Sequence, residues 1–121
     1  MQFNELTSQN VPQINSISSN EIVINDIAYT QAICIQPTGV QTICAATPHD
    51  LRPEDFQAAL NQGADVLLVG TGSQQQFLSP SIVAQIAQYG IGIECMNTAA
   101  ACRTYTLLTG EGRNVWAWLW L

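Results

Sequence analysis

Residues 91–112, IGIECMNTAAACRTYTLLTGEG, decide the fold. The run Ile91-Gly92-Ile93-Glu94-Cys95-Met96 is short, mostly apolar and rich in branched residues, the pattern of a strand buried on both faces. Asn97 and Thr98 then supply side-chain oxygens where a helix must find partners for its first N–H groups. Residues 99–109 read as a helix, small at its start and leucine-bearing at its end, closed by Gly110 in a left-handed conformation. Strand, capped turn and close-packing helix make half of a βαβ unit.

The neighbouring segments continue the alternation. Pro53 suits a first helical turn, and Glu54 and Asp55 complement the positive end of its dipole. Phe56, Ala59 and Leu60 give this helix an apolar stripe, and Gly63 ends it. ADVLLVG at 64–70 is a buried strand, followed by a polar loop over 71–77. Ser79-Pro80 caps a second helix whose face is Ile82, Val83, Ile86 and Ala87, stopping at Gly90. Residues 113–121 form the last strand. Strand and helix in alternation imply right-handed parallel crossovers with helices packed on the sheet.

The first half reads differently. Residues 1–20 are rich in Ser, Asn and Gln and suggest an irregular leader, in part an edge strand. Residues 21–24 are a short strand, turned by Asn25-Asp26, a pair suited to a hairpin. Residues 27–36 form a longer strand interrupted by Gln31, and Pro37-Thr38-Gly39 turns the chain into a third, over 40–46. The expected organisation is one α/β domain over 1–121: leader at 1–20, antiparallel hairpins at 21–46, and alternating helix and strand at 53–121.

Composition excludes several functions. Nine Asp or Glu stand against three Arg, with no lysine, for a net charge of −6. That balance repels nucleic-acid phosphates, and the missing lysine removes Schiff-base chemistry and a Walker-type phosphate grip. Only 10% of residues are charged, and so little charge favours self-association. Cys34, Cys44, Cys95 and Cys102 lack C-x-x-C spacing and the N-terminus lacks a signal pattern, so a cytoplasmic location with free thiols is expected. The longest apolar run, 115–121, is too short to span a bilayer. His49 is the only histidine and sits in a proline-flanked connection, so no catalytic constellation or metal-ligand set is visible. No cofactor is implied.

Three features carry candidate function. Ligands in open α/β sheets sit beyond the carboxyl ends of the strands. Gly70-Thr71-Gly72 and Asn97-Thr98 mark two such ends, and they converge if their strands are neighbours. The helix after Asn97 then aims free N–H groups at a small anion, unless Asn97 and Thr98 serve only as caps. Arg103 either pairs with Glu94 inside the protein or reaches a carboxylate or phosphate ligand; the pairing satisfies Glu94, which otherwise lacks a partner. Trp116, Trp118 and Trp120 share one face of the last strand, either as an interface with a partner or a second copy, or beneath another part of the chain.

These residues resemble a known family. G-T-G at 70–72, F-L-x-P at 77–80, G-I-x-x-E-x-M at 90–96, T-x-A-A-C-R-T-Y at 98–105 and E-G-R at 111–113 look like a small family of unknown biochemical function. It includes a mitochondrial respiratory complex I assembly factor and the adipogenesis-associated Mth domain-containing protein. The resemblance covers residues 64–121 well and the first half loosely. It implies a three-layer α/β fold with a mixed central sheet, no established catalytic activity, and a role in assembly or association. Asn97 often has an acidic counterpart in the family, Thr106 an Asn, and the Trp-rich end is usually small and aliphatic. The expected function is a non-enzymatic protein-interaction or complex-assembly factor; the alternative is a small-ligand site or undiscovered enzyme at the turns after strands 64–70 and 91–96.

Overall fold

The computed structural model describes residues 10–121; the first nine positions of the expected leader lie outside the described residues. Asn25 and Asp26 have φ of +49° and +66°, the two-residue turn whose twist suits a hairpin. It joins β2 (Ile22–Ile24) to β3 (Ile27–Tyr29), with Ile24 opposite Ile27. β1 (Ile14–Ile17) pairs with the other side of β2, so part of the leader is an edge strand in a β1-β2-β3 antiparallel sheet. The single strand expected over 27–36 is divided. It bends at Gln31, and β4 (Ile33–Gln36) enters a second sheet.

That second sheet has the order β5-β4-β8-β6-β7. β5 (Gly39–Thr42) and β8 (Val115–Trp120) flank β4 antiparallel; β6 (Val66–Thr71) runs parallel to β8 and to β7 (Ile93–Met96). Two expectations are corrected. β5 ends at Thr42 rather than residue 46, and β7 is a half-buried edge strand with Glu94 exposed. A short apolar run does not say whether a neighbour lies on both sides, and here β6 and β8 take the centre.

Pro53 opens a 3₁₀ turn, Pro53–Phe56, that runs into α1 (Gln57–Asn61). Ser79 caps α2 (Pro80–Ala87), its Oγ accepting the Ser81 N–H at 3.2 Å. Asn97 caps α3 (Thr98–Gly110), its Oδ1 accepting the Ala100 N–H at 2.8 Å. The left-handed residue after α3 is Gly112, at φ +81°, not Gly110. The chain turns only where the Gly112 N–H reaches the Thr109 carbonyl.

The layers follow from strand alternation. Ile33, Ile35, Leu68, Ala117 and Leu119 face Ala101, Cys102 and Tyr105 of α3 together with Ile22 and Ile24 of the small sheet. On the opposite face, Leu67, Val69 and the three tryptophans pack against Leu51, Phe56, Ala59 and Ile86. The result is the mixed, three-layer α/β arrangement.

The tryptophan interface is not formed. Trp116, Trp118 and Trp120 are 2%, 4% and 7% exposed, covered by residues 43–59 of the same chain. Phe56 meets Trp118 edge-on at 4.7 Å between ring centroids, and Trp116 stacks on Trp118 at 6.2 Å. The indole N–H groups of Trp116 and Trp120 donate to Asn114 Oδ1 (3.1 Å) and the Ala45 carbonyl (3.2 Å). Burial of so much ring surface makes this strand a core element.

Gly70 tests how closely β6, β8 and α3 approach. A Cβ there meets Leu119 Cδ2 at 2.9 Å and Thr98 Cα at 3.1 Å. Gly70→Ala is expected to lower stability by about 1–3 kcal/mol in urea unfolding; an unchanged midpoint contradicts this packing.

Candidate functional site

β6 and β7 are parallel neighbours with Gly70 opposite Met96, so the turns that follow them meet at one rim of the sheet. Thr98 joins them. Its N–H donates to the Gly72 carbonyl at 2.8 Å, and its Oγ1 accepts the Gly72 N–H at 2.7 Å. The same hydroxyl donates to the Trp120 carbonyl at the end of β8. One buried side chain therefore ties together β6, β8 and the start of α3.

The side chains of Thr71, Gln75 and Asn97 at this rim are also committed. Thr71 Oγ1 donates to the Gln74 carbonyl at 2.6 Å and accepts the Gln76 N–H at 3.0 Å, folding the loop back on itself. Met96 O lies 3.2 Å from the same hydroxyl. Gln75 Nε2 donates to the Cys95 carbonyl at 2.9 Å, fixing the loop to the edge of β7. Asn97 is a cap, as described above. Gly70, Thr71, Gly72, Asn97 and Thr98 thus come together, and their hydrogen bonds hold the turns to each other.

A half-open cavity of ≈ 570 Å³ lies beside these turns. Gly72, Ser73, Asn97, Thr98 and Ala99 line it together with Ile17 at the end of β1 and Ser18 and Ser19 of the β1–β2 connection. Ser18, Ser19 and Ser73 are the residues that the sequence reading missed. They come from a loop and a distant hairpin, and nothing local in the chain places them here. Arg103 is not among the lining residues. The expected buried Glu94–Arg103 pair is also absent, because Glu94 projects from the sheet edge and Arg103 from the outer side of α3, both solvent-exposed.

The Cys34, Cys95 and Cys102 thiols are not activated. Burial pushes the Cys34 thiol up to about 12 and Cys102 up to about 11, although Arg103 pulls the latter down. Burial likewise raises the Tyr105 phenol, whose O–H donates to the Pro12 carbonyl at 2.7 Å. Cys44 is exposed, and all four cysteines are free. Cys34 lies opposite Gln41 in the β4–β5 pair, so Cys44 is not its cross-strand neighbour. Among the described residues no cluster of His, Cys, Asp and Glu has the geometry to hold a metal.

A family model described as a protein of unknown function (DUF498/DUF598) matches residues 14–120. The chain is similar to NADH dehydrogenase (ubiquinone) 1 alpha subcomplex assembly factor 3 of Bos taurus, at 29% identity over 102 residues, 83% of this chain and 55% of that protein. It is 41% identical over 65 residues to the 13 kDa major membrane protein of Francisella tularensis, 54% of this chain and 53% of that one. The chain spans about half the length of these curated relatives. A solution structure of a Bordetella pertussis protein described as a Mth938-like domain superposes with a TM-score of 0.76 at 28% identity, covering 90% and 85% of the two chains.

Two outcomes follow from this geometry. Thr98→Val strands the buried Gly72 N–H and the Trp120 carbonyl, and is expected to cost about 2–4 kcal/mol, whereas Thr98→Ser retains most of the stability; equal loss in both variants assigns the effect to the methyl group. Cys34 and Cys102 ionise near 9 in the unfolded chain and higher in the folded one. Unfolding therefore releases protons above pH 9, so stability is full below that pH and declines as pH rises toward 11. Thermal melts from pH 7 to 11 check this, with the decline reduced in a Cys34→Ala, Cys102→Ala double variant.

Proposed function

The chain belongs to the DUF498/DUF598 family of proteins of unknown function, and from that premise we propose that it is a non-enzymatic, cytoplasmic assembly factor that works by binding another protein. The observation that carries the proposal is the similarity, along most of this chain, to relatives named NADH dehydrogenase (ubiquinone) 1 alpha subcomplex assembly factor 3. The surface supports it. From Val66 to Ile93 the chain holds no Asp, Glu, Lys, Arg or His, although the rest is acidic. Much of this stretch is exposed, including Phe77 at 71% and Tyr89 at 58%. Interface cores are depleted in charge and enriched in aromatic rings, since a partner can dry such a face without stripping water from ions.

Self-association belongs to the same proposal on the sparse charge alone, because the tryptophans are now interior. No helix among the described residues is long and apolar enough to cross a membrane. The acidic balance also disfavours anionic lipid surfaces, which supports the cytoplasmic reading. A second reading, a small-ligand site or enzyme at the turns, is favoured by the ≈ 570 Å³ cavity beside Asn97 and Thr98. With Arg103 outside it, a neutral polar ligand fits that lining better than an anion.

Quantitative affinity capture from the native cell tests the first reading. Wild-type protein is expected in the soluble fraction with a reproducible partner, and a Phe77→Ser, Tyr89→Ser variant with an unchanged melting temperature is expected to lose that partner about tenfold. Recovery of the same partner by both, or fractionation of the wild type with membranes, overturns it.

A further inference from the structure

The opposite side of the central sheet carries a second cleft, of ≈ 590 Å³, between β4–β5 and residues 43–58. That is within the range of about 300–1,000 Å³ typical of small-molecule sites. Its inner wall includes Trp116, Trp118 and Cys34, and its rim carries Asp50, Arg52 and Asp55. We propose that this cleft binds a small zwitterion with an apolar side group, an α-amino acid or a molecule of that chemistry. The inference rests on a different face from the turns and does not depend on the assembly reading.

The rim chemistry selects the class. Asp50 and Asp55 first serve the backbone. Asp50 Oδ2 accepts the Thr47 N–H and hydroxyl at 3.2 Å each, and Asp55 Oδ2 accepts the Arg52 N–H at 2.7 Å. These bonds fix the two carboxylates on short 3₁₀ turns, Pro48–Asp50 and Pro53–Phe56, and leave each a second oxygen. Among the described residues the Arg52 guanidinium has no ion-pair partner, although it stands between two acids in sequence. The rim therefore reads negative, positive, negative.

A bare carboxylate approaching Arg52 meets the flanking acids and a protein of net charge −6. A bare ammonium approaching Asp50 or Asp55 meets Arg52. A zwitterion satisfies both signs and, being neutral overall, is not repelled by the acidic protein. Its side group enters the cleft past Ile43, Ala45, Ala46 and Ala58, with the small exposed parts of Trp116 and Trp118, 2% and 4%, at the floor. The segment 47–53, which marks the change from hairpins to alternating helix and strand, supplies all the charged chemistry except Asp55.

Titration of the full chain with L-phenylalanine, read by tryptophan fluorescence excited above the ligand's absorption, tests this. The comparison probes are 3-phenylpropionate, which lacks the ammonium, and phenethylamine, which lacks the carboxylate. Phenylalanine is expected to change the emission saturably, with each single-charge analogue about tenfold weaker. Arg52→Gln is expected to weaken phenylalanine about tenfold while leaving phenethylamine no weaker. Ala58→Trp, which fills the cleft from its exposed lip, abolishes all binding. Circular dichroism and melting temperature confirm that both variants fold. Absence of saturable binding by folded wild type, equal affinity for an analogue, or affinity unmoved by both substitutions overturns the proposal.

Discussion

The hydroxyl of Thr98 is the constraint on which the rest of the structure depends. It accepts from the Gly72 amide and donates to the Trp120 carbonyl, while its own N–H reaches back to Gly72. Without these bonds the end of β6, the end of β8 and the first turn of α3 leave backbone groups unpaired in a buried place, where each orphan costs on the order of a lost hydrogen bond. Gly70 completes the arrangement by leaving no side chain between β6, Leu119 and Thr98. A threonine at a helix start and a glycine at a strand end thus set the distance between sheet and helix.

That closeness shapes the two faces differently. On the α3 side small residues, Ala101 and Cys102, let the helix sit against Leu68 and Ala117. On the other side, among the described residues, short 3₁₀ turns with α1 and α2 cover the sheet. Large rings make up the missing depth: Trp116, Trp118 and Phe56 fill the space that a longer helix would occupy. The same shortfall in covering structure leaves the cleft bounded by Asp50, Arg52 and Asp55.

Much of this was legible in the chain. Two strands each followed by a helix imply parallel crossovers, so the turns at Gly72 and Asn97 meet once those strands are neighbours, and Asn97 and Ser79 signal their helices by cap chemistry alone. The misses share a cause. Whether Glu94 has Arg103 beside it, whether β7 is an edge, and what lies over Trp118 depend on contacts between segments far apart in sequence. Residues 43–52 show no periodicity, so nothing local announces that they cover the tryptophans. The break at Gln31 was visible only as a lapse in alternation, which does not reveal that two sheets part there. The serines lining the cavity at the turns, Ser18, Ser19 and Ser73, have no distinguishing pattern at all.

Amide hydrogen exchange in the native protein tests the central link most directly. The Gly72 and Thr98 amides lie beside an exposed loop, and local position alone gives them fast exchange. If the Thr98 hydroxyl joins three core elements, both amides are expected to exchange only by global unfolding, as slowly as those of Leu68 and Ala117. Exchange of Gly72 and Thr98 at the rate of Gln74 to Phe77 would contradict it.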